Sequence, residues 1–288
     1  MRRVVASAVA VAVGSLWACS ALDLSEYSSG DGPQESMDAG EDGGGSSGSS
    51  GSSGGPRDAV AGDADSSDAK ASYRDAVMAD GPLGYWRLGE TAGTNAKDEV
   101  GAHAGVYQGG ITLGLPGIAD DGDTALGLAG TNGSVQLGDS LDFSGNVPIT
   151  LEAWVWLDAL DTDYRRVIAK RGAEGGYSIF CQTNSAGCSL ELRGGGGAAI
   201  TCDVEMEKER WYHVVGTYDG TTARAYRDGV EVCNRIATVT FSKVDAPLVI
   251  GAWSTGGNYL EGKLDEVAIY DKALPAARIA EHFAHRKK

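Results

Sequence analysis

The sequence predicts an all-β fold of two antiparallel sheets, with a short helix at each end and a disordered stalk in front. Three observations predict it. Residues 149–157 alternate: Ile149, Leu151, Ala153, Val155 and Leu157 point one way, and Thr150, Glu152, Trp154 and Trp156 the other. That two-residue period marks a strand, and bulk on both faces marks a central one. Similar short runs follow one another along the chain between Gly-rich turns, the pattern of a sandwich or barrel. Residues 20–70 are Gly, Ser, Asp and Ala with few large apolar side chains, too little to offset the entropy of ordering them.

Each element can be justified in order. Arg2 and Arg3 precede an apolar run over 4–16. Roughly 13 residues are too few to span a ~30 Å hydrocarbon core as a helix. A charged start, a short apolar run and a small-residue exit describe a secretory signal over 1–18. The stalk, 19–70, combines a flexible Gly/Ser coil with a self-repelling acidic part, reaching about 40 Å on average. Its residues 20–70 hold eleven acidic side chains against Arg57 and Lys70, within a whole-chain charge of −16. The chain has no basic patch, which argues against nucleic acid and anionic membrane surfaces as partners.

A domain over 71–288 follows, long enough for one full core. Ser72 suits a helix N-cap with Asp75 three residues on; Tyr73, Ala76, Val77 and Ala79 form the apolar face, and Gly81-Pro82 ends it. Strands are expected at 84–88, 105–108, 125–128, 134–137, 149–157, 165–170, 176–182, 188–193, 198–204, 211–218, 222–227, 230–233, 247–253 and 259–270. Asp228-Gly229 and Asp219-Gly220 are type I′ hairpin signals, and Asn184-Ser185 centres a third hairpin. Pro275 suits the first turn of a closing helix, with Ala276, Ile279, Ala280 and Phe283 on one face.

Leu16-Trp17-Ala18-Cys19 resembles the bacterial lipobox, with Trp17 a departure from the usual small or polar residue. The resemblance implies cleavage before Cys19, lipidation of its thiol, and an exported chain held on a membrane by lipid. Ser20 lacks the Asp that retains such proteins at the inner membrane, so the expected address is the outer membrane or cell surface. With Cys19 set aside, Cys181, Cys188, Cys202 and Cys233 remain, an even set that reads as two disulfides in an oxidising compartment. No CxxC pair or zinc-spaced His is nearby. A two-residue turn at Asn184-Ser185 sets Cys181 opposite Cys188. A turn centred on Gly195 sets Cys188 opposite Cys202. Both cannot bond; the tighter turn favours Cys181–Cys188, leaving Cys202–Cys233.

The domain resembles the laminin-G-like, concanavalin A-like jelly rolls. The resemblance rests on Asp80-Gly-Pro-Leu-Gly-Tyr-Trp-Arg-Leu-Gly-Glu90, Ala125-Leu-Gly-Leu-Ala-Gly130 with Ser134-Val-Gln-Leu137, and Ile149-Thr-Leu-Glu-Ala-Trp-Val155. It continues in Trp211-Tyr-His-Val-Val-Gly-Thr-Tyr-Asp-Gly220, Ala225-Tyr-Arg-Asp-Gly-Val230, Leu248-Val-Ile-Gly251 and Glu261-Gly-Lys-Leu-Asp-Glu-Val-Ala-Ile-Tyr270. It implies a two-sheet antiparallel jelly-roll sandwich and leaves function open, since one fold carries many functions.

Enzymes of this architecture use a Glu-x-Asp-x-x-Glu strand. Glu261, Asp265 and Glu266 do not have that spacing, nor do Glu205, Glu207 and Glu209, which read as a solvated turn. Gly194 to Gly197 read as a wide hairpin turn, not a phosphate loop. His213 reads as a buried structural residue, since no paired carboxylate is evident. His103 has no evident partner, and His282 and His285 read as the polar face of the last helix. Many members of the resembled family bind Ca²⁺ through loop oxygens, and Asp120, Asp121 and Asp123 cluster before the strand at 125. A sugar platform could draw on Trp154, Trp156, Tyr177, Trp253 and Tyr259, with Asn258 beside the last two. Trp154 reads as inter-sheet core. The expected function is non-enzymatic binding of a carbohydrate or a surface protein, the alternatives being a structural envelope component or a glycan-cleaving enzyme.

Overall fold

The computed structural model describes residues 71–287 except Asp120, Ala173, Glu174, Gly196 and Ala198. The signal segment, Cys19 and the stalk lie outside the described residues, as does Asp120 of the acidic loop. The chain opens with helix α1 (Tyr73–Ala79), closed by the expected capping box between Ser72 and Asp75. Then come β1 (Gly84–Trp86), β2 (Asn95–Ala96), β3 (Gly105–Gln108), β4 (Ile111–Pro116), β5 (Thr124–Ala129) and β6 (Ser134–Gln136). The middle holds β7 (Ile149–Leu157), β8 (Arg165–Gly172), β9 (Gly175–Gln182), β10 (Gly187–Arg193) and β11 (Ile200–Glu205). The last part holds β12 (Trp211–Tyr218), β13 (Thr222–Arg227), β14 (Val230–Ile236), β15 (Val249–Ile250), β16 (Glu261–Tyr270) and helix α2 (Ala276–Ala284).

Two antiparallel sheets result. The first runs β14-β13-β12-β7-β16-β5-β4, with β1 also on β16; the second runs β11-β10-β9-β8-β15-β6-β3-β2. β7 is central, as its two bulky faces predict. Its Leu151, Ala153, Val155 and Leu157 enter the inter-sheet core with Val135, Ile179, Leu190, Val214 and Leu264.

Some expectations need correction. Asp228 and Gly229 both have positive φ, 53° and 81°, as a type I′ turn requires. Asp219-Gly220 does not make a two-residue turn. Tyr218 lies opposite Ala223 and the Asp219 N–H donates to the Thr222 carbonyl at 3.3 Å, so the turn centres on Gly220-Thr221, with the Asp219 carboxylate accepting the N–H groups of Thr221 and Thr222 at 2.9 and 2.8 Å. The strand expected over 247–253 narrows to two residues, because Gly251 at φ 83° turns the chain away.

Trp154 is buried but not between the sheets. It faces outward from β7 in a second cluster with Tyr73, Val77, Tyr85, Tyr226, Tyr270 and Ile279. The terminal helices cover this patch: Phe283 of α2 stacks on Trp154 at 5.7 Å between centroids. The buried face of α2 is therefore Ile279 with His282, not Ala276 and Ala280, which are exposed. His282 belongs to this interior, contrary to the solvent-facing role expected of it. Its Nδ1 lies 2.9 Å from Glu152 Oε1, and its Nε2 faces the Ala76 carbonyl at 3.2 Å and Asp80 Oδ2 at 3.0 Å. Both nitrogens meet only acceptors, which imidazolium alone satisfies. His213, for which the sequence shows no carboxylate partner, has one in Glu152, whose Oε1 lies 2.8 Å from Nε2.

Candidate functional site

The expected site residues fall in two places. The first is the outer face of the second sheet. Alternation along β9 and β10 turns Ser178, Phe180 and Glu191 away from the inter-sheet core, and a bulge in β8 between Arg166 and Ile168 brings Arg166 onto the same outer face as Arg171. Glu191 lies opposite Ser178 in the ladder and bridges two cations. Arg166 Nη1 donates to Glu191 Oε2 at 2.8 Å and to Ser178 Oγ at 2.6 Å, while Arg171 Nη2 donates to Glu191 Oε1 at 2.6 Å. Burial would raise the Glu191 carboxyl, but the bonds and charges of Arg171 and Arg166 outweigh it and bring it down to about 2. Desolvation lowers the Arg166 guanidinium from its usual value.

Trp253 covers this group. Arg166 lies 4.3 Å from its ring centroid, 4.9 Å from Phe180 and 5.8 Å from Tyr164, within cation–π reach. Tyr164 is 47% exposed and Trp253 partly so, so aromatic surface meets solvent here. The loop after Trp253 is pinned at both ends. Ser254 Oγ accepts the Arg171 N–H at 3.0 Å, and the Asn258 carbonyl accepts the Arg166 N–H at 2.9 Å. Asn258 is exposed, at φ 49°. The Tyr259 carbonyl accepts Arg165 Nη1 at 2.9 Å. Trp253, Asn258 and Tyr259 therefore share one loop at the edge of the arginine group.

The other aromatic candidates are placed elsewhere. Tyr177 is in the core with its hydroxyl on the Leu141 carbonyl, and Trp154 lies under the helices. Trp156 is partly exposed on the first sheet, but Lys263 Nζ sits 4.0 Å over its ring. Sequence reading did not single out Arg166, Arg171 or Glu191. Glu191 keeps the alternation of Cys188-Ser-Leu-Glu-Leu192, on the outward face with Ser189, so the sequence pattern does not mark it as buried.

The second place is an acidic group at β16. A bulge between Asp265 and Ala268, with Glu266 at φ 53°, buries both adjacent carboxylates. Asp123, Asp265 and Glu266 each offer an oxygen within 4.8 Å of the others. Arg87 Nη2 pairs with Glu266 at 2.9 Å and with Asp121 at 2.8 Å, and the Tyr85 hydroxyl donates to Glu266. So Asp121 turns to Arg87, and Asp123 joins Asp265 and Glu266 instead. Asp265 Oδ2 accepts the Ile118 N–H at 2.8 Å, but its Oδ1 has no hydrogen-bond partner among the described residues. Asp123 Oδ2 is likewise unbonded; it lies 2.9 Å from Arg87 Nη2 as an ion pair, out of hydrogen-bonding alignment. Burial and Glu266 push Asp265 well above the carboxylate range, and burial, opposed by Arg87, pushes Glu266 up to about 7. Gly89 makes room for this group, since a Cβ there would fall 1.8 Å from Asp123 Oδ1.

Two antiparallel sheets packed face to face define a β-sandwich class. The chain belongs to the concanavalin A-like lectin/glucanases superfamily, whose family model matches residues 129–280. No curated protein matches the chain. Among solved structures it is similar to domain 4 of AbnA, a GH43 extracellular arabinanase from Geobacillus stearothermophilus, solved with arabinotriose. There the TM-score is 0.54 at 19% identity, over 70% of this chain and 97% of that one. It is also similar to the binding domain of botulinum neurotoxin serotype D with N-acetylneuraminic acid: TM-score 0.56, 9% identity, 73% of this chain and 52% of that one. A Trypanosoma rangeli sialidase with 2,3-difluorosialic acid gives 0.52 at 17% identity, over 70% of this chain and 33% of that one. The chain thus spans half of the toxin structure and a third of the sialidase. At these identities the likeness is one of fold.

Proposed function

We propose that the domain is a non-enzymatic carbohydrate-binding module, with its site at Trp253, Tyr164 and the loop carrying Asn258 and Tyr259. The observation that carries this reading is partly exposed aromatic surface held in place from below by a buried polar layer. Aromatic faces pack against the apolar face of a sugar ring, and fixed polar groups beside them set orientation. The similar structures solved with arabinotriose and with N-acetylneuraminic acid support the class of ligand. The buried carboxylates support a binding role over hydrolysis: Glu152 is sealed from solvent, and Glu191 is clamped by two arginines. Neither has the freedom of an acid or nucleophile at a glycosidic bond. Lipidation at Cys19 and a stalk would hold the module off a membrane surface, and globomycin-sensitive processing tests that part. Among the described residues, no helix is long and apolar enough to cross a membrane.

A glycan array tests the binding reading. Selective hits are expected, with affinity falling at least tenfold in Trp253→Ala and less in Tyr164→Ala, because loss of a central aromatic anchor costs about 2 kcal/mol or more. An array without hits, from protein shown to be folded, overturns it.

Calcium is the proposed structural ion, held by Asp123, Asp265 and Glu266. Hard oxygen donors suit it, and the unbonded Asp265 Oδ1 and Asp123 Oδ2 are the fit. Bound cation would offset the repulsion that now lifts Asp265. Calcium at a hundredfold excess over its dissociation constant is expected to stabilise the domain by about 2.7 kcal/mol, read as a rise in Tm that Asp265→Asn removes. An unchanged Tm with calcium and with chelator overturns it.

A further inference from the structure

The charge under Trp253 does not balance. Arg166 and Arg171 are each 5% exposed and Glu191 is 7% exposed, so two buried guanidinium groups share one carboxylate. No other carboxylate lies within ion-pair distance of either arginine among the described residues. The Nε atoms of both arginines are buried without a hydrogen-bond partner. Arg166 Nη2 and Arg171 Nη1 also hydrogen-bond to none of the described residues. An uncompensated buried charge is expensive, and apolar residues of the same size would hold the strands together better. Among the described residues the surplus cation has no counter-charge, which leaves a place for one from a ligand.

The group also shows which counter-charge fits. Glu191 already spans the two guanidinium groups, with one carboxylate oxygen on each. A second planar carboxylate can meet their remaining N–H groups in the same fork geometry. Trp253 is the only described aromatic ring within cation–π reach of both arginines, 4.3 Å from Arg166 and 5.8 Å from Arg171. Its loop turns at Gly256 and Gly257, both with φ near 90°. The partly exposed Trp253 ring, fixed beside both arginines, can stack on the sugar that bears the carboxylate.

We infer that the module selects glycans bearing a carboxylate, a sugar acid whose carboxylate binds Arg166 and Arg171 beside Trp253. This rests on the carbohydrate-binding reading above and names its ligand class. The test uses full-length protein and an array of matched probes: oligogalacturonides against their methyl esters, sialyllactose against lactose, and sulfated galactans. Two charge-assisted hydrogen bonds correspond to at least a tenfold preference for an acid over its neutral counterpart. That preference should shrink as salt rises and vanish in Arg171→Met. This variant leaves Arg166 and Glu191 as a neutral pair in a site of similar volume. If Arg171→Met does not fold, the salt dependence of the wild-type preference decides. Equal binding of acid and ester, or preference for neutral or sulfated probes, overturns the inference and leaves the sugar-binding reading standing. No binding to any probe overturns both.

Discussion

Glu152→Ala is expected to destabilise the domain by about 3–5 kcal/mol, the cost of breaking a buried ion pair from one side. Glu152 is fully buried beneath the terminal helices and accepts four donors. These are the Tyr73 hydroxyl at 2.8 Å, His213 at 2.8 Å, His282 at 2.9 Å and the Tyr270 hydroxyl at 2.9 Å. Removing the carboxylate strands a buried imidazolium between Ala76 and Asp80 and leaves two tyrosine hydroxyls without an acceptor. Urea unfolding measures the loss, and a change under 1 kcal/mol would contradict it. The same cluster sets a pH dependence. Burial opposes the charge on His282, but Glu152 and Asp80 outweigh it and raise its pKa above the ordinary 6.5. A raised basic group contributes its full stability below pH 6.5 and loses it as pH climbs through the folded value. Burial would raise Glu152, but His282 and His213 hold it well below 4.5. Its contribution is full above pH 4.5 and fades only as pH falls through the depressed value. Stability should therefore fall as pH rises above 6.5 and through the raised folded value, and His282→Gln should flatten that limb.

Replacing Cys202 and Cys233 with alanine is expected to cost about 3–4 kcal/mol, against about 2–3 for Cys181 and Cys188, because loop-closure entropy grows with the length enclosed. The two bridges enclose separations of 31 and 7 residues. They also do different work in the fold. Cys181 and Cys188 are paired across one hairpin, within a ladder already bonded. Cys202 lies on β11 and Cys233 on β14, the outermost strands at one side of the two sheets, so that bridge ties the sheets together. Calorimetry of the two double variants orders the effects; equal losses would show that chain entropy does not dominate.

Much of this was legible in local sequence. The alternation of residues 149–157 placed β7 at the centre with the right side chains inward, and Ser72 with Asp75 marked the first helix. Strand β4 was not among the expected strands; it carries Gly114 and Pro116, which its outermost place in the sheet tolerates. The cysteine ambiguity turned on two residues of register between β10 and β11. Cys202 lies opposite Leu190, not Cys188, so the β10–β11 connection is not centred on Gly195. The buried charge clusters were not legible at all. Glu152 and His282 are separated by 130 residues, and on its own each looks like an ordinary polar position. Arg166, Arg171 and Glu191 meet only once three strands are in register.

The place of β16 has a consequence for how the molecule assembles. This strand, among the last parts of the chain, lies between β7 and β5 and also carries β1 from the domain's beginning. The middle of the first sheet is thus completed by the last of its strands in chain order. Strands before it can pair as hairpins, but β5 and β1 have no place in that sheet until it arrives. Contacts so distant in sequence make for slow folding. The rate-limiting event should be capture of this one strand, with the helical clasp over Glu152 closing behind it.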